Sequence, residues 1–422
     1  MDTASGSCIG DQAGYLIPFG DNMNTQTIPK TNLVAASRQW ASRPADQRFW
    51  TLAELHERTK QYAQESKVKT LALSACHVAD TEDGDLRLVG PQGGAAQFQH
   101  YSFGQMSGLC AAPASYLRGL PAPLAASNLN HGLSRMKGEQ ILMFHQNGGL
   151  HLRCVTSDQY ERIWNYEIAE TALALEADGW RTPPARSPQL DPGECQDLSR
   201  GLIPTRVATE ADVLRVSAHP QLGIKVGDTI APSGLYASDH DCFIFQINEE
   251  RPIEVDREVM YRGVFWSNSE VGSAKIRATL FLYDSVCGNH IVWGAKVVAD
   301  VAFRHTGQVR RMFQQATYDI QARSDKPALE DINRIKAAKG HLLGASGEGV
   351  IETVFRKQVG LSRRECEEAY VIAERHEGDH GKNPRSAWGF AAGVTRLSQG
   401  QVYADTRDRM DRSAGKVLQM SF

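Results

Sequence analysis

Apolar residues along the chain recur with two different periods, and the change from one to the other divides it. Between Gly223 and Asp300 the apolar runs are short: Ile224 to Ile230, Cys242 to Ile247, Met260 to Trp266, Lys275 to Tyr283 and His290 to Val298. Turn-forming residues such as Gly288-Asn289 separate them, which predicts an antiparallel β-meander. Past this region the spacing lengthens. Thr306 to Ala322 reads as one helix, and Ala328 to Leu343, with Leu329, Ile332, Ile335 and Ala338 at three-residue steps, as a second. Ser362 with Glu365 three residues on is a capping box that opens another.

Upstream, Leu33, Val34, Trp40, Phe49, Trp50, Leu52 and Leu55 suggest helical pieces around the Arg43-Pro44 break. Val68 to His100 reads as a pair of strands with loops, and Phe103 to Leu133, punctuated by Gly108, Pro113, Gly119, Pro121 and Pro123, as several short helices. Ile141 to Thr156 predicts a hairpin: Ile141 and Met143 alternate before Asn147-Gly148-Gly149, and Leu150, Leu152 and Cys154 alternate after it. Ser157-Asp158 then reads as the N-cap of a helix carrying Tyr160, Ile163, Trp164 and Ile168.

The pattern is that of an α+β protein with a central antiparallel β-meander sheet, helical flanks and a helical carboxyl-terminal third. Its expected parts are a loose amino-terminal arm over 1–30, an α+β part over 31–180, a Pro-rich linker or loop over 181–204, a β-rich core over 205–303 and a helical part over 304–422.

At 422 residues, 41% apolar and 23% charged, the composition is that of a globular protein and excludes a disordered or collagen-like chain. No run of 18 apolar residues is present, so no membrane span is expected. Met1 to Gly20 lacks a basic region followed by an apolar stretch, which predicts a cytoplasmic protein of a bacterial host cell. The cysteines at 8, 76, 110, 154, 195, 242, 287 and 366 show no CxxC or CxH spacing, so they read mostly as small buried hydrophobes.

No GxxxxGK[ST] or GxSxG motif occurs, which removes the sequence support for a phosphate-cradling loop or a nucleophile elbow. Two clusters offer metal chemistry. His376, Asp379 and His380 lie near two glycines that favour a solvated loop, and Asp239, His240 and Asp241 precede a strand. They define an enzyme alternative, a metal-dependent nuclease using Asp239, Asp241 and His376 or His380. Charge points elsewhere. The chain carries a net charge of -3, yet Arg304 to Arg364 holds twelve Lys and Arg against six acids. A local excess of this kind can follow a phosphate backbone, and Phe303, Phe313, Tyr318 and Phe355 are available for base stacking.

Four passages resemble the domain-of-unknown-function 932 family of phage and plasmid proteins. They are Trp40 to Phe49 with Leu52 and Leu55; Arg153 to Asn165; Asn268 to Gly272 followed by Phe281 to Asn289; and Ser386 to Gly389 with Gly393-Val394-Thr395. Some members of that family lie beside single-strand-binding proteins, so the resemblance implies DNA processing during phage replication or plasmid entry. The order of elements, a meander followed by helices, is also similar to that of the single-strand annealing superfamily, phage Red-beta-type recombinases and their eukaryotic Rad relatives. In those proteins a basic groove holds DNA in an oligomeric ring.

The expected function is single-stranded DNA binding or annealing, with single-stranded DNA and a second copy of the chain as partners. No cofactor is needed, because annealing requires neutralised phosphates and exposed bases rather than bond-making chemistry. The expected contacts are Arg153, Tyr160, Arg162, Lys275, Arg277, Arg304, Arg310 and Arg311. A third reading is a non-enzymatic partner-binding phage protein, a virion component or host-defence antagonist, in which the basic run is merely solvated.

Overall fold

The structure, a computed structural model, describes residues 47–146, 148–187, 204–219, 222–238, 240–256, 258–284, 289–292, 301–303, 307–380, 382–401 and 403–421. The predicted arm over 1–30, Asp239, Arg304 and most of the Pro-rich stretch lie outside the described residues.

Strand β1 (Gln47–Arg48) leads into helix α1 (Leu52–Gln64). A capping box fixes the start of the helix: Glu54 N donates to Thr51 Oγ1 at 3.1 Å, and Thr51 N donates to Glu54 Oε2 at 3.3 Å. Strands β2 (Ser66–Ala72), β3 (His77–Asp80), β4 (Leu86–Val89) and β5 (Ala95–Phe98) follow. After them come α2 (His100–Leu109), α3 (Ala114–Arg118) and α4 (Ala122–Leu133), the last two with Pro113 and Pro121 at their caps. The hairpin of β6 (Glu139–Gln146) and β7 (Leu150–Ser157) completes a six-stranded sheet in the order β2-β6-β7-β5-β4-β3. Residues 68–100 thus hold four strands where the turn signals suggested two. Three of these, β3, β4 and β5, are only four residues long, too short for their alternation to stand out among the turn signals. Leu73, Val78, Leu88, Phe103, Leu129, Leu142 and Leu152 give this sheet and its helices a core of their own.

Beyond β7 the chain runs without regular structure until α5 (Asn165–Leu175), so the helix expected after Ser157-Asp158 starts later, with Trp164 at its cap. Then come β8 (Trp180–Arg181), β9 (Arg206–Val207), α6 (Glu210–Arg215) and β10 (Thr229–Ile230), with β9 paired to β10. The predicted meander is β11 (Leu235–Ala237), β12 (Asp241–Val255), β13 (Glu258–Ser269), β14 (Ile276–Asp284) and β15 (Asn289–Val292). With β1 at one edge it forms an antiparallel sheet in the order β1-β11-β12-β13-β14-β15. β8 pairs with β12, and β16 (Val301–Phe303) with β14.

Alternation with period two gives this larger sheet two apolar faces. Leu235, Ile244, Val264, Trp266, Ile276 and Ala278 pack with α1, α5 and α7 (Val309–Ser324), through residues such as Leu55, Ile168 and Phe313. The opposite face carries Tyr236, Phe243, Phe245, Tyr261, Phe265, Phe281 and Tyr283. Trp266 is fully buried, edge-on to Phe313 at 5.5 Å. Removing an aromatic side chain from water contributes up to about 4 to 6 kcal/mol, taking roughly 150 to 250 Å² at about 25 cal/mol per Å².

The carboxyl-terminal third continues as α8 (Leu329–Gly340), α9 (Gly347–Arg356), α10 (Arg363–His380), α11 (Ala387–Gln399) and α12 (Ala404–Gln419). The capping box at Ser362 and Glu365 opens α10 as predicted. That helix runs through Gly378 to His380, where the glycines had suggested a loop. Trp388, Phe390, Val394, Met410 and Val417 join Met260 and Leu282 of the large sheet in one core. A buried ion pair between Lys382 and Asp284 ties the sheet to the α10–α11 connection. The architecture is α+β, and no helix among the described residues is long and apolar enough to cross a membrane.

Candidate nucleic-acid interface

The second and third passages singled out in the sequence meet where the two sheets join. In β7 the register with β6 slips between Met143 and Phe144, because Cys154 pairs with Met143 and Leu152 with Phe144. Arg153 is the extra residue of a β-bulge, a device that re-aims a side chain. The bulge also overturns the expected alternation: Leu152 packs in the six-stranded sheet's own core, whereas Cys154 packs with Met143 and Val271 in a cluster bridging the two sheets.

Arg153 is 2% exposed and is used internally. Its Nη2 donates to Glu270 Oε2 at 3.1 Å and its Nη1 to Ser66 Oγ at 2.9 Å. The other oxygen of Glu270 accepts from Asn165 N at 2.8 Å, satisfying a backbone donor that the first turn of α5 would leave unpaired. Asn268 Nδ2 donates to Ile163 O at 2.9 Å and to Asn165 Oδ1 at 2.8 Å. Tyr160 donates its hydroxyl to Ser269 O at 3.0 Å, and Arg162 Nε donates to Glu270 O at 2.8 Å. The Arg162 guanidinium lies 5.4 Å from the ring centroids of both Tyr160 and Trp164. Gly272, at φ +80, turns the chain just beyond β13; a Cβ there would already touch Thr156 and Tyr160 at 3.5 Å. Burial pushes the Tyr160 phenol and the Cys154 thiol above their ordinary pKa values.

The structure therefore brings Arg153, Tyr160 and Arg162 together, but as a joint and not as a trough. The expectation that Arg153 touches DNA is corrected, because its guanidinium is enclosed and bonded to a carboxylate. Arg310 belongs to the same network: Nη1 donates to Glu167 Oε1 at 2.5 Å, Nε lies 3.4 Å from Glu161 Oε1, and Nη2 donates to Arg162 O at 3.3 Å. Arg277 is half-buried on β14, its buried Nε without a hydrogen-bond partner among the described residues. Lys275, just ahead of β14, and Arg311, beside Arg310 on α7, are exposed and form no ion pair among the described residues.

The remaining basic run is largely answered by acids, Glu348 and Glu352 inside the sequence window and Asp256, Glu258, Glu367 and Glu368 outside it. Lys339 contacts Asp256 and Glu258; Arg363 contacts Glu348, Glu352 and Glu367; Arg356 contacts Glu352; and Arg364 contacts Glu368. Of the four aromatics, Phe313 is core and Phe303's side chain lies outside the described residues, whereas Phe355 and Tyr318 are exposed. Tyr318 is 67% exposed. It stands two turns along α7 from Arg311, with exposed Gln314 and Gln315 between them, so a cation, two amides and an aromatic ring share one stripe.

For the metal readings, His240 Nε2 lies 3.4 Å from Asp241 Oδ2, and the Ser238 hydroxyl donates to the Asp241 carboxylate. Asp239 and the side chains of Asp379 and His380 lie outside the described residues. No group of three His, Cys, Asp or Glu among the described residues is placed to hold a metal ion.

A cluster that no sequence motif announced surrounds Tyr236 on the aromatic face. Arg407 Nη1 donates to its hydroxyl, Arg48 lies over its ring at 4.9 Å, and Arg186 Nη2 donates to Gln399 Oε1 at 2.5 Å. Burial alone would push this phenol's pKa up, but the charges of Arg407, Arg48 and Arg186 together hold it below the ordinary value. Its members come from strands and helices far apart in the chain, so no local spacing could have pointed to it. Compared with protein-family models, curated proteins and solved structures, the chain matches none.

Proposed function

We propose that the protein binds single-stranded DNA along the outer stripe of α7, as a strand-binding or annealing protein of phage or plasmid type. The observation that supports this most is the pairing of exposed Arg311 with exposed Tyr318 on that stripe. By the helical rise they stand about 10 Å apart along the axis. A phosphate neutralised at Arg311 and a base stacked on Tyr318 can belong to one strand without sequence preference. Lys275, next to Ile276 where β14 pairs with the end of β16, is a second exposed cation on the larger sheet. The resemblance of four passages to a mobile-element family agrees with this reading.

Fluorescence anisotropy with labelled oligothymidylate, at two salt concentrations, tests it. Tyr318→Ala is expected to weaken binding by about 1 to 3 kcal/mol. Arg311→Gln is expected to make the plot of log affinity against log salt shallower by about 0.7. Absence of binding at low salt would refute the reading, as would binding that neither substitution alters.

A further inference from the structure

At the carboxyl end of α7 the chain passes into α8 through Asp325, Lys326, Pro327 and Ala328, facing the irregular middle of β12 across a groove of about 550 Å³. Arg251, Pro252, Ile253 and Arg262 line it from the sheet, and Asp325, Lys326 and Ala328 from the helical side. The groove is open to solvent and its lining is more polar than apolar, so it offers charges to a ligand without enclosing it.

Arg262 shapes the groove and does not fill it. Its Nε donates to Asp331 Oδ2 at 2.9 Å, its Nη1 to Lys326 O at 2.6 Å and its Nη2 to Pro327 O at 3.1 Å, which pins the α7–α8 turn to β13. Arg251 pairs with Asp325, but these side chains are 50% and 65% exposed. A pair so open to water holds its partners by no more than about 1 kcal/mol, so Arg251 can exchange a carboxylate for a phosphate. Lys326 is exposed and without an ion pair among the described residues. Ala328, the cap residue of α8, offers no side-chain acceptor to the first turn of that helix.

The groove is continuous with the stripe already described. Arg311, Gln315, Tyr318, Ala322 and Asp325 follow one another at three- and four-residue steps and are all exposed, and Asp325 N still donates to Gln321 O at 3.3 Å. We infer that the groove is a phosphate subsite at the end of this stripe, taking a nucleotide phosphate between Arg251 and Lys326 as Asp325 releases Arg251. The inference rests on α7 being the strand-binding surface.

Thymidine monophosphate and labelled oligothymidylates, titrated into the full chain and its variants at several salt concentrations, separate the possibilities. The doubly substituted Arg251→Gln, Lys326→Gln protein is expected to show a salt slope shallower by about 0.7, the value for one phosphate no longer neutralised, with Tyr318-dependent binding retained. Asp325→Asn, which removes the competing carboxylate, is expected to bind the oligonucleotide more tightly. Oligonucleotide binding with an unchanged slope in the double variant would overturn the groove and leave the α7 reading standing. Binding of the monophosphate alone, dependent on Lys326, would keep the groove as a nucleotide-phosphate site and overturn its place on a strand track. Binding of neither ligand would overturn both. The substituted side chains are exposed, so the variants are expected to fold, and their thermal transitions check this.

Discussion

At the scale of single residues the structure holds charges where water cannot reach them. Asp411 is buried on α12, accepting from the Ser398 hydroxyl with Arg407 Nε 3.9 Å away. Burial outweighs the attraction of Arg407 and pushes the carboxyl up to about 7 from its ordinary 3.8. An acid that holds its proton more firmly in the folded chain than in the unfolded one favours folding while protonated. Its contribution is complete below pH ~4 and is lost as the pH climbs to ~7, at up to about 1.4 kcal/mol per unit. Urea unfolding of the parent and of Asp411→Asn across this range should show a downward slope in the first that is flattened in the second. None of this was legible in the sequence, where Asp411 is one acid among 49 Asp and Glu. Exposed Arg311 and buried Arg153 likewise look alike as letters; only tertiary packing separates a free guanidinium from an enclosed one.

Among elements, backbone approach decides more than hydrophobic pattern does. A Cβ on Gly393 of α11 would lie 2.2 Å from Ala369 O of α10, and one on Gly389 would lie 2.0 Å from Asn383 O. Helix α11 therefore packs against its neighbours at a distance that admits only hydrogen at these positions. Gly393→Ala should push the two helices apart and destabilise the protein by about 1 to 3 kcal/mol or more, read as a lowered urea midpoint. The fourth passage of the resemblance thus has a plain structural use, as cap and close contact. Period and capping chemistry made the meander, the short helices after Phe103 and the carboxyl-terminal helices legible, because each depends on local spacing. Three features were not legible: the strands β4 and β5, the bulge at Arg153 and the late start of α5. The bulge and the late start depend on contacts with distant partners, and β5 pairs with β7, whereas β4 pairs only with its chain neighbours and was hidden by its shortness. Ser157-Asp158 is sound capping chemistry, but Tyr160 and Arg162 are drawn onto the end of β13, and helix cannot form until that contact is made.

For the whole molecule, the joint of Arg153, Glu270, Asn165 and Asn268 couples a six-stranded unit with its own core to the larger sheet. Arg153→Met leaves Glu270 charged and enclosed, at an expected loss of about 3 to 5 kcal/mol, and adding Glu270→Gln should recover part of it. Residues 66–157 contain no Trp, so tryptophan fluorescence reports the rest of the molecule whereas far-ultraviolet circular dichroism reports both units. The two signals should give one urea transition in the parent and separate transitions in Arg153→Met. Coincident curves in the variant would mean that the units are coupled by something other than this joint. The net positive run was the least reliable guide at this scale, since Glu161, Glu167, Asp256 and Glu258 answer it from other elements.

The clasp of Arg407 on Tyr236 also sets an order of maturation. As the chain leaves the ribosome, the strands bearing Phe243, Phe245 and Phe265 are complete long before α12 exists to lay its guanidinium over Phe245, 5.5 Å from that ring. During that interval a row of aromatic side chains lacks part of its roof, and such a surface is where nascent chains adhere to one another. Synthesis of α12 is then the step that covers this aromatic row.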